Sequence, residues 1–370
     1  MIRRMCRILM ALGIFCRMIL WVPVDVYAVT LHLSMEVGVP GQKTASSSVG
    51  DPLKWYIRST LPETWQEISA ISVFQTLSPA LTLDPSSAGL RLVQTNGEQI
   101  LLRMEEHYVL TAGAVFTEEG TADRLHISLT REGMDFLEEY QMPGSQLELS
   151  YTAGINTCAP VGRQLLGSAQ MTLTDRSGKK YIFLSDKAAA ATGGFCVHLT
   201  DPTGIVPGEG SFMLAREASE KELEDDSVFK ELLDTGTETL AVVYETFYTS
   251  RDMSGEKTDI AVTDEAGNAV CYGLAYGTYY LVQTETGHEN TLASGPVRVE
   301  INEVSHVTQD DGWMDSEGNV ADHTVRVAYS VLTMPRTGGI GREVFTISGL
   351  AIILCACLLL WYNHKRGYTA

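Results

Sequence analysis

The chain has 370 residues, with 27 Lys and Arg against 46 Asp and Glu, a formal net charge of −19. A surface this acidic is repelled by nucleic acid and by anionic membranes, which excludes both as partners. Seven cysteines, only three of them away from the two ends, make no disulfide framework. In chain order, Arg3, Arg4 and Arg7 come first, followed by apolar residues 8–24 interrupted by Arg17. Val26-Tyr27-Ala28 has the small-x-small form of a cleavage site. Residues 1–28 are therefore expected to be a signal peptide, the alternative being an uncleaved anchor. Short alternating or apolar runs then recur between turn residues at 31–37, 53–59, 71–77, 100–110, 125–129, 147–151, 171–173 and 181–184. That spacing favours a β-sandwich over 29–187. One helix is expected at 131–140, where Met134, Phe136, Leu137 and Tyr140 recur at helical spacing.

A composition break falls at 187–194, with four successive alanines and then Gly193-Gly194, and a domain boundary is expected there. The second block, 195–331, has strand-like runs at 195–199, 211–216, 239–248, 259–263, 269–274, 278–284, 297–301 and 325–331. Asp264-Glu265-Ala266-Gly267-Asn268 is a hairpin turn signal. Between the second and third runs, 217–233 is acidic and helix-prone. Its Leu223, Val228, Phe229, Leu232 and Leu233 leave two readings open, an apolar face docked on the domain or a solvated insertion.

The end of the chain reads Met334-Pro335-Arg336-Thr337-Gly338-Gly339, then an uncharged apolar run at 344–362, then His364, Lys365 and Arg366 within a basic tail, 363–370. Nineteen helical residues rise about 28 Å, close to the ~30 Å of a bilayer core, so a transmembrane helix is expected. Cations after it hold the C-terminus on the cytoplasmic side. Pro335 fixes its own φ and biases Met334 to an extended form, while the two glycines leave the backbone open to an enzyme. The segment resembles the Leu-Pro-x-Thr-Gly sorting signal of Gram-positive wall-anchored proteins, with Met334 in place of Leu. The resemblance implies that a sortase cuts between Thr337 and Gly338. It implies as partners that sortase and an amine acceptor, either a peptidoglycan precursor or a pilin lysine. The localisation implied is the cell wall, reached through a membrane-anchored precursor. With both ends set aside, 19 basic and 44 acidic residues remain, near −25.

Thr263–Val270 and Gly273–Val282, with Leu199-Thr200-Asp201 and Gly210–Leu214 upstream, are similar to the Cna B-type, prealbumin-like domains of Gram-positive pilins. The earlier block, through Val49–Tyr56, Leu61-Pro62 and Leu77–Leu81 with a later echo at Leu147–Asn156, resembles a pilin isopeptide-forming domain. The fold class expected is mainly β, two tandem Ig-like or prealbumin-like sandwiches between the signal peptide and the transmembrane helix. Such domains often carry a Lys–Asn amide formed beside a protonated buried acid. The resemblance puts the second domain's Lys at Leu199, its acid at Gln283 and its Asn at Tyr329, all substituted. Glu285 is the fallback acid. In the first domain the acid falls at Gln75 and the Lys near Ser59 or Thr60, with Lys54 and Asn156 as a residual pair. Gln hydrogen-bonds but cannot shuttle a proton, so both staples are expected to be missing.

For the remaining cysteines, either Cys196 pairs with Cys271 in one disulfide or Cys158, Cys196 and Cys271 are three buried thiols. Cys158, followed by Arg163 and Gln164, has the option of a reactive thiol, but a buried thiol is the expectation. The acidic stretch 310–319 reads as a solvated hairpin before a Ca²⁺ loop. No nucleophile elbow, P-loop, zinc motif or dinucleotide fingerprint is present, so neither an enzyme nor a cofactor is expected. The expected function is that of a minor or wall-proximal pilus subunit or monomeric wall protein. No Pro-Lys dipeptide marks a shaft acceptor, and Lys43, Lys179 and Lys180 stand without a motif. The alternative is a surface adhesin for a host or bacterial ligand.

Overall fold

The computed structural model describes residues 31–62, 67–118, 120–200, 209–250, 252–286, 295–303, 308–309, 312–313 and 324–328. The expected signal peptide, the sorting motif, the apolar run 344–362, the basic tail and Tyr329 lie outside the described residues, as does the 310–319 stretch apart from Gly312 and Trp313. Among the described residues no helix is long and apolar enough to cross a membrane. The chain divides into two compact units at Ala191/Thr192.

The first unit begins β1 (Leu33–Val37), β2 (Thr44–Ser46), β3 (Lys54–Thr60), β4 (Ile68–Thr76), β5 (Leu81–Val93), β6 (Gln99–Leu101), β7 (Tyr108–Thr117) and β8 (Gly120–Leu129). It continues with α1 (Arg131–Tyr140), β9 (Gln146–Ile155), β10 (Leu165–Gly167), β11 (Gln170–Asp175), β12 (Lys180–Leu184) and β13 (Ala188–Ala191). Two five-stranded sheets, β1-β3-β9-β5-β6 and β12-β11-β4-β8-β7, form a sandwich, with β10-β13-β2 as a small third sheet. The alternation in the sequence is what builds it. In β9, Leu147, Leu149, Tyr151, Ala153 and Ile155 are buried, while Ser150, Thr152 and Gly154 are not. The opposite face of the first sheet carries a charge ladder. Glu148, only 1% exposed, accepts from Arg58 Nε at 2.7 Å and Arg91 Nε at 2.6 Å, and Arg58 also donates to Glu36 at 2.9 Å. Helix α1 stands where the sequence puts it. Thr130 caps it by accepting from the Gly133 amide at 3.0 Å, and Met134 and Leu137 are buried.

Three sequence expectations change here. The run 100–110 is not one strand: β6 ends at Leu101, and β7 starts at Tyr108 after a loop in which the His107 ring nitrogen Nδ1 accepts from the Arg103 amide. The sequence pattern does not predict strand β5, because Asp84, Pro85, Ser86 and Ser87 interrupt its apolar residues. In the structure these residues form a bulge between Asp84 and Gly89. The alanine run is not a linker. Ala188–Ala191 are all buried and form β13, parallel to β2 and antiparallel to β10.

The second unit has β14 (Gly193–Thr200), β15 (Gly210–Glu217), α2 (Glu220–Glu224), β16 (Glu231–Asp234), β17 (Thr239–Glu245), β18 (Ile260–Val262) and β19 (Asn268–Leu274). These are followed by β20 (Gly277–Thr286), β21 (Val297–Ile301), β22 (Thr308–Gln309), β23 (Gly312–Trp313) and β24 (Thr324–Ala328). One sheet runs β19-β14-β24 and another β16-β17-β15-β20-β21, with β18 also on β15. The core is apolar: Phe195, Val197, Leu199, Phe212, Leu214, Phe247, Leu281 and Ile301 cluster with Cys271. The turn at 264–268 forms as expected, with Gly267 at φ +80° and the Asp264 amide donating to the Asn268 carbonyl. The acidic insertion is only partly helical. One short helix, α2, is closed by a capping box between Ser219 and Glu222, and the chain then forms the edge strand β16. Leu223, Phe229 and Leu232 are 50%, 74% and 78% exposed, so the solvated reading applies to them. Leu233 instead packs on Ala215, Val242 and Tyr280.

Candidate crosslink positions and thiols

Gln75 lies at the centre of the first sandwich, 2% exposed. Its Oε1 accepts a 2.6 Å hydrogen bond from the Tyr151 hydroxyl on the facing sheet, and its Nε2 is 3.7 Å from the Met35 sulfur. Burial holds the Tyr151 phenol far above its usual range, against the pull of the Gln75 bond, so it remains a donor. Trp55 stacks on Tyr151 with the ring planes 1° apart and donates through Nε1 to the Ala153 carbonyl. Gly167 closes the cluster: a Cβ there would stand 2.8 Å from Met35 Cε and 3.5 Å from Gln75 Nε2.

The groups expected around Gln75 are elsewhere. Ser59 is buried but pairs with Leu33 and Leu147. It lies four residues along β3 from Trp55, the register partner of Tyr151, or about 13 Å down the strand. The residue from β1 that reaches Gln75 is Met35. The residual pair is also not brought together. Lys54 is exposed, whereas Asn156 is occupied as a turn clamp. Its Nδ2 donates to the Pro79 carbonyl at 2.9 Å and its Oδ1 accepts from the Cys158 amide at 2.9 Å. Sequence reasoning missed Met35, Tyr151 and Gly167 around Gln75. Their alternating positions mark them as inward-facing, but nothing in the sequence pairs them across two sheets.

In the second unit, Leu199 is fully buried and pairs in parallel with Val327. Gln283 is buried opposite Phe212, and its Nε2 donates to the Glu285 carbonyl at 3.3 Å. Glu285 cannot stand in as a buried acid, because it is exposed. The bulge between Ser211 and Phe212 breaks the two-residue phase that would have put it on the inner face.

The disulfide is not made. None of the three described cysteines is in a disulfide. Phe195 pairs with Cys271, while Cys196 pairs with Val270, so the two thiols leave opposite faces of the sheet. Burial, with Cys196 nearby adding to it, pushes the Cys271 thiol far up. Cys196 lies 3.8 Å from the Tyr272 hydroxyl. Cys158 is not buried. It lies exposed at an open cleft of about 790 Å³ formed by the β4–β5 turn, the tip of the β7–β8 hairpin and Arg163 and Gln164.

Of the lysines without a motif, Lys43 is tied to Asp186 at 2.6 Å and to the Met35 carbonyl at 2.7 Å. Burial pushes the Asp186 carboxyl up, but the bonds from Lys43 and the Met35 amide outweigh it and hold it below the usual range. Lys179 lies over the Tyr181 ring at 4.7 Å, and Lys180 is exposed on β12. Among the described residues, no cluster of His, Cys, Asp or Glu could hold a metal ion.

No family model matches the chain, and no curated protein matches it. Solved structures do. The 35 kDa C-terminal fragment of a major pilin of Streptococcus agalactiae is similar over 81% of this chain and all of its own length, with a TM-score of 0.58 and 16% identity. The fimbrial protein FimP of Actinomyces oris matches over 80% of this chain and 68% of its own, with a TM-score of 0.55 and 12% identity. Domains D2 and D3 of the major pilin SpaD of Corynebacterium diphtheriae match over 80% of this chain and 98% of theirs, with a TM-score of 0.51 and 12% identity. At such identities the likeness is one of fold: this chain has the tandem β-sandwich fold of Gram-positive pilin domains.

Proposed function

We propose that the chain is a sortase-processed surface subunit of a Gram-positive bacterium, a minor or wall-proximal member of a pilus. The observation that carries this is the order of Met334–Gly339, the apolar run and the basic tail behind two units with the pilin fold. The Thr337–Gly338 amide is broken, and the Thr337 acyl group passes to an amine of a wall precursor or a pilin lysine. Gly338 leaves as a free amine with the membrane segment. The chain acts as substrate and contributes no catalytic group. No internal isopeptide forms, since Gln75 and Gln283 occupy the acid positions, Met35 lies against Gln75, and Leu199 takes the lysine position of the second unit. Placement as minor or wall-proximal follows from the lysines. None lies beside a proline, and Lys43 is already held by Asp186 and the Met35 carbonyl.

Blotting of wall extracts tests the reading. A ladder of high-mass species that survives boiling in detergent is expected, lost on Thr337→Ala, with the variant retained in the membrane fraction. A single band at wall-linked monomer size rejects the pilus and favours a monomeric adhesin. Equal release of the wild type and Thr337→Ala from membranes rejects sortase processing itself.

A further inference from the structure

Both units end a sheet in an exposed apolar edge, and the two edges match. In the first unit β12 pairs only with β11 among the described strands. The Asp175 amide donates to Lys179 and the Ser185 amide to Ala169, which fixes the phase of that ladder. The main-chain groups of Tyr181 and Phe183 therefore face β11, and those of Lys180, Ile182 and Leu184 face outward. The Ile182 and Leu184 side chains are 62% and 72% exposed. In the second unit β16 pairs only with β17 among the described strands, and the Thr235 amide donates to the Glu238 carbonyl. By the same phase, Leu232 and Asp234 turn their main-chain groups outward, and the Leu232 side chain is 78% exposed. A bare apolar edge of this kind is a template for another strand.

The flanking charges are opposite. Around β12 stand Arg176, Lys179 and Lys180, in a chain whose charge is strongly negative. The approach to β16 carries Glu220, Glu224, Asp225 and Asp226, and the strand itself is bounded by Glu231 and Asp234. We propose that β12 of one molecule and β16 of a second copy add to each other as antiparallel edge strands, a head-to-tail contact between copies of this chain. One register satisfies both requirements. With Ile182 opposite Leu232, Lys180 falls opposite Asp234, and the outward amides and carbonyls of both strands meet. Leu184 then faces the stem of Lys230, whose ammonium is turned back onto the Glu222 and Asp225 carbonyls at 2.7 Å. The two surfaces differ, so the contact is heterologous and one molecule offers one of each. Four or five residues a side make a small interface at the weak end of specific contacts. It aligns neighbours rather than holding them.

The contact is non-covalent and does not rest on the sorting proposal. A chain that self-associates but never enters a covalent ladder keeps this inference and loses that one. The test is sedimentation velocity of the full chain in detergent micelles over a range of concentrations. Concentration-dependent association is expected. Lys180→Glu or Asp234→Lys alone weakens it about tenfold or more, since like charges then face each other. An equal mixture of the two variants regains it, because each supplies the partner the other lacks. Ile182→Pro, which removes an outward amide without touching the β11 ladder, abolishes it. Unchanged thermal transitions confirm that each variant is folded, and the exposed charge swaps stand alone if the proline variant does not fold. A chain that stays monomeric overturns the proposal, as does association indifferent to both swaps. If only one swap matters, the contact joins two like edges, which overturns it too.

Discussion

In the first unit the residue at the expected acid position, Gln75, is held at the sandwich centre by a phenol from the opposite sheet and surrounded by Met35, Trp55 and Tyr151. In the second, Gln283 lies beside an interior of Phe, Leu, Val and Ile, and its amide bonds locally to the Glu285 carbonyl. The two units thus hold their buried glutamines differently. One keeps a buried hydrogen bond between its sheets. The other builds its core from apolar side chains. A buried hydrogen bond contributes about 1 kcal/mol net, but leaving one partner alone costs about 1–3. The first unit's interior should therefore be sensitive to chemistry as well as volume, and the second's mainly to volume.

The largest effects test volume in both units. Trp55→Ala removes a fully buried ring from the first and Phe212→Ala one from the second, each costing about 3–5 kcal/mol. In chemical denaturation followed by unit-specific hydrogen exchange, each variant should lower protection in its own unit. Equal loss in both units from either change would mean that they unfold as one, and the comparison would fail.

Chemistry without volume comes next. Tyr151→Phe keeps the ring on Trp55 and strips Gln75 of its donor, so the first unit should lose about 1–3 kcal/mol. Adding Gln75→Leu removes the orphaned acceptor and should return part of that loss. A double variant no better than the single one would show that Gln75 is not held through Tyr151. Intact mass makes the same point covalently. A chain lighter than its sequence by about 17 Da, one ammonia per Lys–Asn bond, would mean that a staple exists after all.

A smaller, pH-dependent effect comes from the Arg216 cluster of the second unit. Arg216 grips Glu222 through two nitrogens at 2.8 and 2.7 Å and also bonds Glu245. The Arg216 bond, with help from Ser219, holds the Glu222 carboxyl at about 2 against an ordinary 4.5. A carboxyl lowered in the folded state stabilises fully above its unfolded value and loses that contribution as pH falls toward its folded one. The second unit should therefore weaken as pH drops from about 4.5 to about 2, and Glu222→Gln should flatten the slope. A wild-type profile flat across that window would remove Arg216 from the account of this unit's stability.

How far the sequence anticipates this depends on whether a feature is local. Helix α1 is legible because its cap and apolar spacing lie within about ten residues, and the sandwich class because alternation repeats in strand after strand. Features decided by a distant partner are not. The segment 217–233 has the composition of a helix, yet its end becomes β16 because β17 offers an open edge. Ala188–Ala191 have no pattern of their own and are a strand because β2 and β10 flank them. Lysine and acid positions counted from strand to strand slip wherever a bulge intervenes. One between Ser211 and Phe212 turns Glu285 outward, and in the first unit the β1 residue beside Gln75 is Met35, which strand counting from Gln75 does not reach.

The thiols give the mildest test, because they read each interior without disturbing it. Cys158 is exposed, Cys196 half-buried and Cys271 fully buried with its thiol pushed far up by burial. A thiol reacts as its thiolate, so iodoacetamide at neutral pH should label Cys158 first, Cys196 slowly and Cys271 only when the second unit opens. Peptide mapping over time gives the three rates. Under oxidising conditions Cys196 and Cys271 should stay unpaired, since joining them would require one strand of the β14–β19 pair to turn over its faces. Cys158→Ser should shift stability by no more than about 0.5 kcal/mol, as for most exposed positions. If Cys271 labels as fast as Cys158 in the folded chain, the second unit's core is open on that timescale, and its apolar packing is looser than the burial of Cys271 requires.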